Sequence, residues 1–139
     1  MTIPVWVLLG FAGWTLAVLT GGVGLYRWLE IFSGRATVSQ WHADGRQGSE
    51  RYQRAMRAHM NCVENLPVYG AVAVAAALAG VDGRDLDALS VTVLLARIAQ
   101  SVVHIARAQT DRVVAVRFGL YFVQVACVVS MGVLLAIRA

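Results

Sequence analysis

The sequence predicts an all-α integral membrane protein, a bundle of four transmembrane helices forming a single domain over residues 1–139. Three observations carry this. Hydrophobic residues make up 58% of the chain and charged residues 14%, against roughly 45–50% and 25% in soluble domains. Mean hydropathy is +0.63, more apolar surface than a soluble domain of this size can bury. The apolar residues also fall into four stretches, each long enough at about 1.5 Å per residue to cross a hydrocarbon core of about 30 Å. These figures exclude a soluble enzyme, a nucleic-acid binder and a disordered linker. The basic residues are all arginine, twelve against eight acids, and they sit beside or inside the apolar stretches instead of forming the exposed run that a nucleic acid would need.

The first span covers about residues 3–29. Ile3 to Tyr26 carries no charge. No basic residue precedes it and no small-x-small cleavage site follows a short apolar core, so it reads as a retained span and not as a signal peptide. Gly10, Gly13, Gly21, Gly22 and Gly24 predict close helix packing. Residues 33–50 form a polar loop. The second helix covers 50–78, starts near Ser49 or Glu50, is polar in its first half, and carries Pro67 where a kink is expected. The turn Gly80-Val81-Asp82-Gly83-Arg84 ends it. Asp85 is the predicted N-cap of the third span, 86–106. Residues 107–112 connect it tightly to the fourth, 113–137. Cys62 and Cys127 lie in helices without CxxC spacing and read as small buried hydrophobes; no metal site is expected.

Arginine sets the orientation. The first loop and its flanks hold Arg27, Arg35, Arg46, Arg51 and Arg54, and the last connection holds Arg107 and Arg112, whereas the middle turn has one arginine against three aspartates. The positive-inside rule therefore makes the first and third loops cytoplasmic and turns both termini outward.

Polar residues that no span needs carry the functional information. Arg54, Arg57, Asn61 and Glu64 follow spacings of 3, 4 and 3 on the second helix, within roughly 80° of arc at about 100° per residue. Arg97, Gln100, Ser101 and His104 form one stripe on the third helix, and Arg117, Tyr121 and Gln124 one on the fourth. Such faces avoid lipid. By depth, Arg57, Arg97 and Arg117 are expected to meet in the cytoplasmic half, helped by snorkelling. Each central arginine costs about 2.5–3.5 kcal/mol to insert. Glu64 is the one acid well inside a span, so it neutralises one arginine and leaves a cationic pocket. One reading is a purely structural interhelical network. The other is an anion site for a zwitterion with more negative than positive charge, whose cationic group Glu64 receives. His59 projects opposite the stripe and reads as a supporting residue.

The run Arg54-Ala55-Met56-Arg57-Ala58-His59-Met60-Asn61-Cys62-Val63-Glu64-Asn65-Leu66-Pro67 resembles the signature of the membrane-associated proteins in eicosanoid and glutathione metabolism, the MAPEG family, in its bacterial microsomal glutathione transferase-like form. Arg97, and Arg117 followed by Tyr121, match family positions in spacing and order, so the resemblance covers essentially the whole chain. It implies a homotrimer of four-helix subunits in a bacterial inner membrane, with glutathione bound between subunits near the cytoplasmic side. It further implies a detoxifying transferase or peroxidase acting on lipophilic electrophiles or hydroperoxides. A non-catalytic lipid- or glutathione-binding scaffold of the same fold is the alternative.

Position by position, the resemblance makes Arg57, Asn61 and Glu64 hold the glutathione backbone, Glu64 as partner of the amino group. Arg97 binds carboxylates and Tyr121 contacts the tripeptide. Arg54, Arg27 and His104 join the binding set, His59 and Gln100 support it, and Arg117 matches the arginine that stabilises the thiolate. His104 stands where several family members carry tyrosine, and Gln100 and Phe118 where the prostaglandin E synthases carry histidine and serine, which argues against an eicosanoid synthase.

Overall fold

The computed structural model describes residues 1–42 and 47–139; Arg46, counted above among the loop charges, lies outside the described residues. Among the described residues, four helices are long and apolar enough to cross a membrane: α1 (Ile3–Phe32), α2 (Glu50–Leu78), α3 (Arg84–Ala106) and α4 (Asp111–Arg138). A single 3₁₀ turn at Val38–Gln40 breaks the first loop, and the described residues contain no strand. The chain is an all-α, multi-pass membrane bundle.

Helix α1 is not uniform. Between Val18 and Gly24 it widens into a π-helical stretch, and it continues to Phe32, three residues past the sequence-read boundary. Glycine at 21, 22 and 24 leaves three of its seven positions without a side chain. At Gly22 the bareness matters: a Cβ there would stand 3.0 Å from Ala55 Cβ on α2, so the two helices approach as closely as their backbones allow.

Helix α2 begins at its Ser49 cap, whose hydroxyl accepts from Tyr52 N–H at 3.2 Å, and runs on through Pro67. It ends in a left-handed closure. Gly80 has φ +67° and Val81 N–H returns to the Ala76 carbonyl at 3.0 Å, the 6→1 bond that satisfies a terminal carbonyl. Helix α3 then starts at Arg84, and Asp85 is not its cap. Gly83 occupies the cap position without a side-chain bond. Asp85 lies inside the first turn, where its carboxylate accepts from Leu86 N–H at 3.0 Å and pairs through both oxygens with Arg138, at the far end of α4. Thr110 caps α4 by accepting from Val113 N–H at 3.3 Å. The α3–α4 connection is thereby shorter than expected.

Helix α4 packs along the length of α3, while α1 lies across α2 and α3. Phe11, Cys62, Tyr69, Leu86, Val93 and Met131 form the centre of the main core. Tyr69 is fully buried and donates its hydroxyl to the Pro4 carbonyl at 2.9 Å, tying mid-α2 to the start of α1. A second cluster around Val23, Tyr52 and Ala55, with Tyr26 and Trp41 against it, fills the end that carries the first loop.

Candidate active site

Helices α2 and α4 flank an outer groove of about 490 Å³. Asn61 and Glu64 enter it from α2, Arg117 and Tyr121 from α4, and Gln100 of α3 forms part of its floor. The three-and-four spacing brings these residues to one place: each pair shares a helix face, and the α3–α4 packing turns the stripes toward a common line. Gln100 fixes the arrangement by donating its Nε2 to the Arg117 backbone carbonyl at 3.0 Å.

The groove is charged and unsatisfied. Glu64 is exposed and Arg117 half-buried, and neither is in an ion pair among the described residues. The buried Nε of Arg117 has no hydrogen-bond partner. Arg97 does not line the groove. It is 1% exposed, and its Nε and Nη2 lack partners. An unpaired guanidinium in the groove, that of Arg117, suits a carboxylate or thiolate ligand.

Two of the three arginines expected to meet, Arg57 and Arg117, lie with Arg54 near the buried His104 ring. Arg97 is two turns from His104 along α3, about 10 Å of helix rise.

Two other predicted residues are engaged elsewhere. Arg54 donates its Nε to the Ile105 carbonyl at 3.1 Å and pairs with Glu50 at 3.6 Å. Arg27 donates to the Tyr52 hydroxyl at 2.6 Å and lies 5.5 Å from the centre of the Trp41 ring. His59 is half-buried, with its Nδ1 inside the protein and unpaired, away from the groove.

Asn65 and Gln109 line the groove without having been anticipated. Asn65 is four residues beyond Asn61 and donates to its carbonyl at 2.8 Å, so helical spacing carried its signal. Gln109 lies in the α3–α4 connection, where no periodicity exists to mark it.

The model of the MAPEG family matches residues 5–137, nearly the whole chain. The protein belongs to that family. Comparisons with curated proteins and with solved structures return no match.

Proposed function

We propose that the protein is a glutathione transferase or peroxidase of the membrane, which takes glutathione in the α2–α4 groove and uses Arg117 to hold its sulfur as a thiolate for attack on a lipophilic electrophile or hydroperoxide. The observation that carries this reading is the presence of Glu64 and Arg117 in one groove with their charges unpaired. Glutathione brings two carboxylates and one ammonium. Glu64 receives the ammonium, Arg57 and Arg97 supply positive charge for the carboxylates, and Asn61 and Tyr121 hydrogen-bond the peptide.

A thiol is mostly protonated at neutral pH, and an adjacent cation lowers its pKa and raises the thiolate fraction. Arg117 lines the groove and is in no ion pair among the described residues, which suits it to this role. The thiolate then displaces a leaving group from, or adds to, an apolar acceptor that arrives through the bilayer. Arg57 and Glu64 stand exposed on the flank of a single chain, where hydrocarbon offers no partner. Their exposure supports a homotrimer in which a neighbouring subunit covers the groove. The arginine-rich first loop supports a cytoplasmic site and outward termini, and the bacterial-type resemblance an inner membrane.

The test is ultraviolet difference absorbance in the thiolate band, titrating detergent-solubilised protein with glutathione at neutral pH. A saturable thiolate signal, lost in Arg117→Ala, is expected. Saturable binding without thiolate makes the protein a non-catalytic scaffold, and absence of binding assigns the groove to another anion.

A further inference from the structure

Where α1, α2 and α3 meet at the end that carries the first loop, two further hollows run into one another. One, of about 270 Å³, lies between Leu25 and Leu29 of α1 and the start of α2. The other, of about 350 Å³, continues along α1 over Val18 to Trp14, with Ala106 of α3 on its far wall. They share Gly21, Gly22, Arg51 and Ile105. Seven residues lie between Trp14 and Gly21 in count, about 10 Å of helix rise, so the joined groove is elongated. Glycine keeps it open: Gly21 is exposed, and a Cβ there would meet nothing within 4 Å.

Arg51 is the one charged side chain in this lining. The polar groups beside it are engaged. The Tyr26 hydroxyl accepts from Ser49 N–H at 3.1 Å, the Tyr52 hydroxyl from Arg27 at 2.6 Å, and the Ser49 hydroxyl from Tyr52 N–H. Arg51 itself is exposed and in no ion pair among the described residues. Its neighbour Glu50 pairs with Arg54.

The level of Arg51 in the bilayer follows from α1. Past Gly22 that helix carries Leu25, Trp28, Leu29 and Phe32, each more than half exposed, with the Trp28 and Phe32 rings stacked at 5.4 Å. Trp28 comes six residues after Gly22, about 9 Å of rise. Exposed tryptophan settles at the headgroup level. Arg51, lining the groove at the glycines, therefore stands on the hydrocarbon side of those rings, where a cation is unfavourable until an anion meets it.

We propose that this groove binds one phospholipid of net negative charge. Its phosphodiester sits on the Arg51 guanidinium, and one acyl chain lies along α1 over Gly21 and Gly22 toward Trp14. Charge selects the occupant as much as shape does. A guanidinium suits a phosphate, and the first turn of α2 adds the positive end of a helix dipole. No acid lines either hollow, so the ammonium of a zwitterionic headgroup has no partner. Basic pockets between helices on the cytoplasmic side hold anionic headgroups, and the positive-inside rule puts this end on that side. The site is independent of the glutathione reading, for it shares no residue with the α2–α4 groove.

The experiment is native mass spectrometry of the detergent-solubilised protein, titrated with phosphatidylglycerol or with phosphatidylcholine of identical chains. Wild type, Arg51→Gln and Gly21→Leu are compared. Wild type is expected to bind one phosphatidylglycerol per chain, about tenfold more tightly than phosphatidylcholine, the value of one charge-assisted hydrogen bond. Arg51→Gln is expected to bring the two lipids level, and Gly21→Leu to weaken both about tenfold by filling the groove. Equal affinity for the two lipids in wild type, or loading that never saturates, means solvating lipid alone and overturns the inference. A preference that persists in Arg51→Gln overturns it too, since another cation then holds the headgroup. Unchanged lipid binding in Gly21→Leu overturns the placement of the chain. If that variant instead changes the number of subunits read in the same spectra, a second copy and not a lipid covers the groove. Wild type and Arg51→Gln, a change of one exposed side chain, decide the matter even if Gly21→Leu does not fold.

Discussion

The guanidinium carbon of Arg97 stands 5.5 Å from the centre of the Phe11 ring, so a buried cation of α3 rests on an aromatic face of α1. That contact offsets part of the desolvation, but two of the guanidinium nitrogens have no partner, and an unpaired buried charge is net unfavourable. Arg97→Met is therefore expected to raise the melting temperature of the ligand-free protein by a few degrees while weakening glutathione binding about tenfold or more. Thermal denaturation with and without glutathione reads both effects. A lower melting temperature with unchanged affinity would make Arg97 a scaffold residue.

Arg117→Ala removes the cation proposed to stand beside the sulfur while leaving Glu64 and Asn61 in place. The expected result is loss of the thiolate band, with kcat/KM falling on the order of 10²-fold, as for deletion of one preorganised charge-stabilising donor. Glutathione affinity changes little. Stopped-flow conjugation and equilibrium dialysis on the same preparation separate the two, and conjugation at the wild-type rate would take the role away from Arg117.

Glu64→Gln keeps the shape of the side chain and removes its charge. A charge-assisted hydrogen bond contributes about 1.5–3 kcal/mol, so glutathione affinity should fall roughly ten- to hundredfold. A glutathione analogue without its amino group should bind wild type about as weakly, and lose nothing further in the variant. Such a cycle isolates the pair. If the analogue loses as much affinity as glutathione does, Glu64 has a different partner.

Two glycines of α1 make a matched pair. A Cβ at Gly13 meets nothing within 4 Å, whereas one at Gly22 meets Ala55 Cβ at 3.0 Å. Gly13→Ala should be neutral or stabilise by about 0.5–1 kcal/mol through helix propensity. Gly22→Ala should destabilise by about 1–3 kcal/mol through overpacking. Melting temperatures of the two variants in one detergent check the contrast, and equal shifts would mean that α1 and α2 are not in contact there.

The four helices were legible in the sequence because span length and apolar run are local properties, and the 3–4 spacing of Asn61 with Glu64 and of Arg117 with Tyr121 carried over directly into the groove. What spacing cannot supply is reach and depth. Arg54 lies on the predicted stripe, yet its arm is long enough to end on the Ile105 carbonyl at the close of α3. Arg97 also lies on its stripe, but it ends against Phe11, an ordinary apolar residue of another helix. Asp85 looked like a cap because nothing near it in sequence announces Arg138, fifty-three positions away.

The π-helical stretch at Val18–Gly24 acts as a change of frame within α1. A wider turn holds more residues than an α-helical one, so everything beyond it is rotated relative to a straight continuation of the first half. Arg27 meets Trp41 and Tyr52 in the rotated frame. Rewinding the stretch into regular α-helix with every residue kept would swing Arg27 by about 100°, out of reach of the Tyr52 hydroxyl, with no substitution near either side chain. Between this chain and any relative whose first helix is regular throughout, residue-for-residue correspondence slips inside the membrane, and the equivalent of Arg27 is found by its aromatic neighbours rather than by counting from the N-terminus.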